Sequence, residues 1–536
     1  MSLTMKRHYP LLLTFAGLLL ILLVGLGSMQ IVAYADRDQL DATPVNGTNY
    51  ENSIALFDET AVHEIQIIAP ADTQQRMIRT YQQTEAKDYF GVDVIIDGVR
   101  IDNVGIRLKG NASLMSVANA DDFFGGLAFF PPELREVPQH CWAFSPIPPP
   151  PGLVESDVDE TSKPPYLIKF DAFVPGQTYQ GQSEIAVRTS GVAVDAAQMQ
   201  EPLTNYALNQ AGIPASETAY ISLRFNDDAP QLYTIAEVLD QAYIDKHFPD
   251  SSGVLYKVVE VGNDFTYLGD DLTLYVNIFE QKTAVNQADL TPLTQFMKFV
   301  TESDDETFAR ELENRLDLDA FATYLAVENL LVNFDSLAGM GNNYYLYYSE
   351  NSRQFTILAW DANESLGKLG AATFDLYWTD RFAGPGVGPP QPADDIVLDA
   401  NMPTECIEAF EKLANLGPPP GGGPPPGVGA QAGEPPLADG SGPFGDGRHI
   451  LKDRFLANAD FRTLYDSKLQ TVYEQVFVNE LLLPQIETYT MLLTSYNIEN
   501  ALFDQNEFDL AIQNMENFIR DRQEYLQSTD LLGAIR

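Results

Sequence analysis

Positive charge is scarce in this sequence. Its 536 residues carry 32 lysines and arginines against 76 aspartates and glutamates, a formal net charge of -44 and a pI near 4.2. A field of that sign repels phosphates, which argues against nucleic acid or an anionic membrane surface as a partner and calls for divalent cations alongside any phosphate ligand. Such acidity ordinarily serves solubility outside the cell or in a salty medium. Cysteine is nearly absent: Cys141 and Cys406 are too few for a disulfide framework, and fit an oxidising compartment either as one bridge between two inserts or as two free thiols. No internal repeat is visible, which argues against a solenoid. No G-x-G-x-x-G precedes the first strands, so the usual glycine-rich phosphate loop is missing as well.

The chain does have the means to build a large core, being 45% hydrophobic, and its length suggests two or three domains or lobes. It begins with a basic "MKRHYP", an apolar run over residues 11–27 and a small-x-small "AYAD" that would be cut after Ala35. Residues 1–35 therefore read as an export signal or, since the run nearly spans a bilayer, as an uncleaved membrane tether. Either places the rest of the protein outside the cytosol, extracellular or at the cell surface. Residues 36–57 are a polar spacer.

An N-terminal lobe is expected over 58–248. "AVHEIQIIAP" and "DVIIDGVRIDNVGIRLKGN" alternate as strands, with a hairpin turn at Asp97-Gly98, and "PYLIKFDAF", "GQSEIAVRT", "AYISLRFN" and "QLYTIAEVL" read as further strands around a helix ending at Gly212. Residues 115–163, with their proline run and acidic tract, look like an insertion. From 249 to 536 the pattern is mainly helical, broken by a Pro/Gly-rich insertion over 375–447. The expected class is α+β, a sheet-rich lobe followed by a helical one.

One stretch combines structure with chemistry. Asp319 is placed to cap a helix whose face of Phe321, Tyr324, Leu325 and Leu331 delivers the chain to Asp335. The strands "YYLYYS" and "QFTILAW" follow around "ENSR", so that Asn343 falls opposite Trp360 or Asp361. Asp335, Asn343 and Asp361 thus converge at the open end of a hairpin. Two carboxylates and an amide oxygen with nothing basic beside them suit Mg²⁺ or Mn²⁺ carrying phosphates. Their order matches phosphoryl transfer, with an Asp for the acceptor hydroxyl, then an Asn and an Asp for metal. Asn342 competes with Asn343 for the amide role. Strand-end Asp and Asn also cap turns. A calcium loop starting at "DANESLG" fails, because its sixth position is Leu366 and its twelfth Ala372.

With "VGIRLKGNASL", "PYLIKFDAF", "MQEPLTNYALNQAGIPASETAYISLRFN", "QLYTIAEVLDQAYIDKHF", "NNYYLYY", "FTILAWDANESLG" and "LKDRFLANADFRTLYDSKL" in this order, the chain resembles the CotH family of spore-coat kinase-like proteins from about residue 60 to 480. That resemblance implies a bilobal atypical protein-kinase-like fold and transfer of phosphate from ATP, with Mg²⁺ or Mn²⁺, to Ser or Thr hydroxyls of a surface or coat protein. It implies that Lys169 neutralises the phosphates, Glu201 positions that lysine, and the segment from Glu237 to Asp240 links the lobes beside the adenine. Asp335 becomes the catalytic aspartate and Asn343 and Asp361 the metal ligands. Lys109 and Lys257 compete with Lys169, and "KGNAS", through Gly110, covers the phosphates. Asn363 stands where the family tends to carry a further acid. A non-catalytic surface, adhesion or coat-assembly protein retaining the fold is the alternative.

Overall fold

The computed structural model describes residues 47–110, 164–189, 197–249, 251–260, 262–285, 288–339, 341–368 and 449–528, and a few single positions between them. The export signal or tether, the spacer as far as residue 46, the insertion 115–163, most of 375–447 and Cys141 lie outside the described residues. Cys406 is buried and disulfide-bonded. Among the described residues no helix is long and apolar enough to cross a membrane.

Helix and strand are mixed, as the α+β reading expects. After a short β1 (Asn49–Tyr50), the strands β2 (Val62–Ile68), β3 (Phe90–Ile96), β4 (Val99–Leu108), β5 (Tyr166–Lys169), β7 (Glu184–Arg188), β8 (Thr218–Phe225) and β9 (Gln231–Glu237) form a closed barrel in the order β2-β3-β4-β5-β7-β9-β8; β6 (Thr178–Tyr179) pairs with β1 outside it. Alternation fills the barrel, with Ile65, Val94, Ile106, Ile168, Val187, Ile221 and Ile235 inside. The Asp97-Gly98 turn forms as expected, both residues at positive φ. The barrel closes through distant segments: β2 runs parallel to β8, with Val62 opposite Tyr220 and Ile67 opposite Phe225. The helix α1 (Thr73–Thr84) packs against the barrel core through Met77, and α2 (Gln200–Gln210) follows β7.

Beyond α3 (Gln241–His247) comes a second sheet in the order β11-β10-β12-β13, formed by β10 (Val254–Val258), β11 (Phe279–Gln281), β12 (Tyr344–Tyr348) and β13 (Phe355–Ala359). The later half is therefore less purely helical than expected. Its helices are α4 (Thr291–Glu302), α5 (Asp305–Glu311), α6 (Leu318–Leu330), α7 (Ile450–Ala457), α8 (Ala459–Tyr473), α9 (Leu482–Asn500) and α10 (Gln505–Ser528). One face of the sheet meets the outside of the barrel: Leu167, Ala186 and Ala236 pack with Leu255, Tyr345, Leu358 and Trp360.

Two expectations for α6 need correction. Its cap is Asp317, whose carboxylate accepts from the Ala320 N–H at 3.0 Å, while Asp319 lies in the first turn and pairs with Lys468. Its apolar surface is not one face, since every residue from Phe321 to Leu330 is buried, between β13, α2 and α8. The C-terminal end of α6 is gripped by Arg522 of α10, fully buried, which donates to the carbonyls of Asn329 at 2.8 Å, Leu330 at 3.2 Å and Ala372 at 2.8 Å. His449, ahead of α7, stacks on Phe265 and meets the Tyr344 hydroxyl at 3.1 Å; burial and the nearby Lys452 push its imidazole down to about 3.

Candidate active site

The loop carrying Asp335 is fixed on both sides. Val332 takes φ +52°, costly for a β-branched residue, where α6 turns into the loop. A Cβ at Gly339 would lie 1.9 Å from the Phe334 carbonyl oxygen, so only glycine lets the loop fold back so closely. The Lys452 ammonium of α7 donates to the Ala338 carbonyl at 3.3 Å. Just behind the loop, burial pushes the Glu328 carboxyl up to about 8, with Asn333 and Tyr324 pulling the other way.

The β12–β13 hairpin brings the expected residues together. Tyr344 faces Ala359, and the Trp360 N–H donates to the Asn343 carbonyl at 3.2 Å, so Asn343 and Trp360 are partners across the open end. Both Asn343 (φ +49°) and Asp361 (φ +58°) take the left-handed conformation, which Asn and Asp tolerate better than other side chains. The Asn343 amide donates to Asp335 Oδ2 at 2.7 Å and Asn342 to Oδ1 at 3.0 Å. Both asparagines therefore hold the aspartate. Burial raises the Asp335 carboxyl to about 7 against these two donors, with the charges of Asp361 and Glu364 adding to the rise.

Asp361 is not isolated from basic groups. Arg188, on the outside of β7, contacts Asp361 through Nη1 and donates through Nη2 to Glu201 Oε1 at 3.0 Å; Lys109 Nζ lies 3.9 Å from Asp361 Oδ2. The Trp360 ring supports both cations, with the Arg188 guanidinium carbon 4.6 Å and Lys109 Nζ 5.0 Å from its centroid. Burial alone would raise the Asp361 carboxyl, but Arg188 and Lys109 outweigh it and hold it below its ordinary value. Burial and the neighbouring Arg188 push Lys109 well down. Glu201 is raised by burial despite Arg188.

Lys169 does not pair with Glu201. Its ammonium lies 3.0 Å from Asp171 and 3.6 Å from Glu184, its partner across β5–β7. The register shows why: the Lys109 N–H bonds to Pro165, level with the end of β7 that carries Arg188, and Lys169 is four residues further along β5, roughly 13 Å at the strand rise. Glu201, the partner that sequence order assigned to Lys169, pairs with Arg188 instead. Lys257 does face the site, its Nζ 5.9 Å from the Tyr345 ring centroid, its pKa lowered by burial and by Lys282. Gly110, at φ +90°, offers its carbonyl to the Lys87 ammonium, which burial and the charges of Arg107 and Lys257 bring down to about 8. Glu237 is committed elsewhere. Its buried carboxylate takes Lys246 at 3.2 Å, while Asp240 caps α3 through the Ala242 and Tyr243 N–H groups, so both acids of the expected lobe-linking segment hold that helix.

Five cations of a chain with so few, Lys87, Arg107, Lys109, Arg188 and Lys257, thus share one region. Arg188 Nε is buried with no hydrogen-bond partner. Among the described residues no three His, Cys, Asp or Glu side chains are grouped to hold a metal. The hard-oxygen donors on hand are the carboxylates of Asp335 and Asp361 and the Asn343 amide oxygen, which remains an acceptor while its NH₂ serves Asp335. That set fits Mg²⁺ or Mn²⁺ once phosphate oxygens and water complete the shell.

The family described as CotH kinase protein matches residues 156–398, a span containing Lys169, Arg188, Glu201, Asp335, Asn343 and Asp361. Over that segment the chain is similar to CotH kinase proteins. Among curated proteins none matches the sequence. A solved structure, that of the Helicobacter pylori proinflammatory kinase CtkA, is 9% identical with a TM-score of 0.26, covering 64% of this chain and 91% of that one; so low a score carries no argument about the site. The CotH match begins after β4, so Lys109 and Gly110 are placed at the site by the geometry and not by the family.

Proposed function

We propose that this CotH kinase-like protein binds ATP with Mg²⁺ or Mn²⁺ and transfers phosphate to Ser or Thr hydroxyls of a protein at the cell surface or in a coat, using a bilobal kinase-like arrangement in which the barrel and the helical body flank the site. The observation that carries this reading is Asp335 clasped by two asparagines beside Asp361, facing a group of cations in a chain of net charge -44. Cations gathered against such an overall field point to an anionic ligand. Export through the N-terminal segment belongs to the same proposal.

The chain's residues supply position and charge. Asp335 accepts the proton of the acceptor hydroxyl as its oxygen bonds to the γ-phosphorus and the bond to the bridging oxygen breaks. The two asparagines hold that carboxylate in place. Arg188, Lys109 and Lys257 offset charge on the phosphate oxygens, and Glu201 orients Arg188. Asp361 and Asn343 would hold a divalent ion, which would supply Lewis-acid neutralisation of charge on the phosphate.

The test is incubation of the full chain with γ-labelled ATP, Mg²⁺ or Mn²⁺ and a Ser/Thr-containing acceptor protein. Label is expected in the acceptor, and none with a chelator; absence of label under all metals and acceptors would leave the non-catalytic surface or coat protein as the reading. A base whose carboxyl sits near 7 must lose its proton to act, so kcat/KM is expected to rise with pH through about 7. Asn342→Ala removes a donor that favours the anion, and should move that midpoint upward. A flat profile between pH 5.5 and 8.5 would rule Asp335 out as the titrating base.

A further inference from the structure

Asp361 is at once the best-placed metal ligand and the carboxylate most fully claimed by cations. Arg188 reaches it with one terminal nitrogen, keeps Glu201 with the other, and lies 6% exposed; Lys109, 13% exposed, stands at 3.9 Å. A bare divalent cation would have to enter against both. Arg188 meanwhile keeps a buried Nε–H with nothing to donate to, although an arginine so enclosed ordinarily satisfies its donors. A phosphate oxygen fits that vacant donor, and the planar fork suits phosphate better than a lysine would.

We propose that Arg188 is a latch that makes metal binding depend on a polyphosphate chain. Arg188 covers Asp361. A polyphosphate draws Arg188 towards itself through Nε and Nη1, Glu201 keeping hold of Nη2, and takes Lys109 and Lys257 as further partners; Asp361 is then released to the divalent ion, whose shell the phosphate oxygens help complete. The two ligands reinforce one another because each removes the counter-charge that opposes the other. In a chain this acidic the latch has a second effect, since Arg188 keeps stray divalent cations off Asp361 until phosphate arrives. This inference rests on the reading of the site as a phosphate and metal site.

Two direct binding measurements on the full chain separate the possibilities: Mn²⁺ alone, followed by electron paramagnetic resonance, and inorganic tripolyphosphate alone, in chelator, followed by calorimetry. Arg188→Gln is expected to bind Mn²⁺ at least 10-fold more tightly than the wild type and tripolyphosphate at least 10-fold more weakly, opposite signs that a general loss of structure would not give. Asp361→Asn added to Arg188→Gln should abolish the gain in Mn²⁺ affinity. Arg188→Lys, whose single ammonium cannot span Asp361 and Glu201 together, should show the same two signs more weakly, and serves if the glutamine variant does not fold. Equal Mn²⁺ affinity in wild type and both variants, or unchanged tripolyphosphate affinity, would overturn the latch while leaving the site reading intact. A wild type that binds neither tripolyphosphate nor, in its presence, Mn²⁺ would overturn the site reading itself.

Discussion

Asp361→Asn should lower phosphoryl transfer by about 10²–10³-fold, the scale on which single electrostatic contacts to a developing charge act. The substitution keeps shape and removes charge. An amide oxygen is a poor substitute for a carboxylate as a ligand for a hard dication, and the loss reaches further here because Asp361 also balances Arg188 and Lys109. With the carboxylate gone, two poorly exposed cations lose their counter-ion, and breaking such a pair on one side is the costly way to break it. The variant is therefore expected to melt earlier than the wild type and to regain part of the difference in millimolar tripolyphosphate, which the wild type would need less. Label transfer by Asp361→Asn within about threefold of wild type would remove Asp361 from the metal site; a normal melting curve with no response to tripolyphosphate would show that Arg188 and Lys109 do not depend on it.

Arg522→Ala is expected to cost about 3–5 kcal/mol in denaturant unfolding, among the largest single effects on stability in this chain. The guanidinium donates to three carbonyl oxygens at the end of α6 and just beyond the hairpin, and removing it orphans buried acceptors while opening a void. Arg522→Lys keeps the charge but not the fork, and should recover only part of the loss. Since the same end of α6 feeds the chain into the Asp335 loop, transfer should fall together with stability even though Arg522 touches nothing at the site. A loss below about 1 kcal/mol would mean that water replaces the guanidinium without strain.

Much of this arrangement was legible in the sequence, for physical reasons that differ from residue to residue. The hairpin over 344–359 could be read because aromatic and β-branched residues flank a polar turn, and counting outward places Asn343 opposite Trp360 or Asp361, of which the structure selects Trp360. Lys169 misled because a lysine on a buried strand resembles the expected lysine, yet counting across the next turn would have placed it opposite Glu184, with Asp171 two residues on, a charge already satisfied. Arg188 has no such signal, since "EIAVRT" reads as an ordinary strand and its partners stand 13 and 173 positions away. Asp317 and Asp319 both stand at the start of the helix; only the hydrogen bond to Ala320 tells the cap from the first-turn acid. The parallel closure of β2 on β8 has no local signature at all, as pairing between distant segments is not written in either one alone.

That closure has a consequence for how the protein is made. Val62 must wait for Tyr220, about 160 residues later, before its strand has both neighbours. At the usual synthesis rates of about 5–20 residues per second, this is a delay of roughly 10–30 s. During it β2 can pair with β3 alone, with one apolar edge open, and joining it to β8 is the slow, non-local step on which the barrel's completion depends.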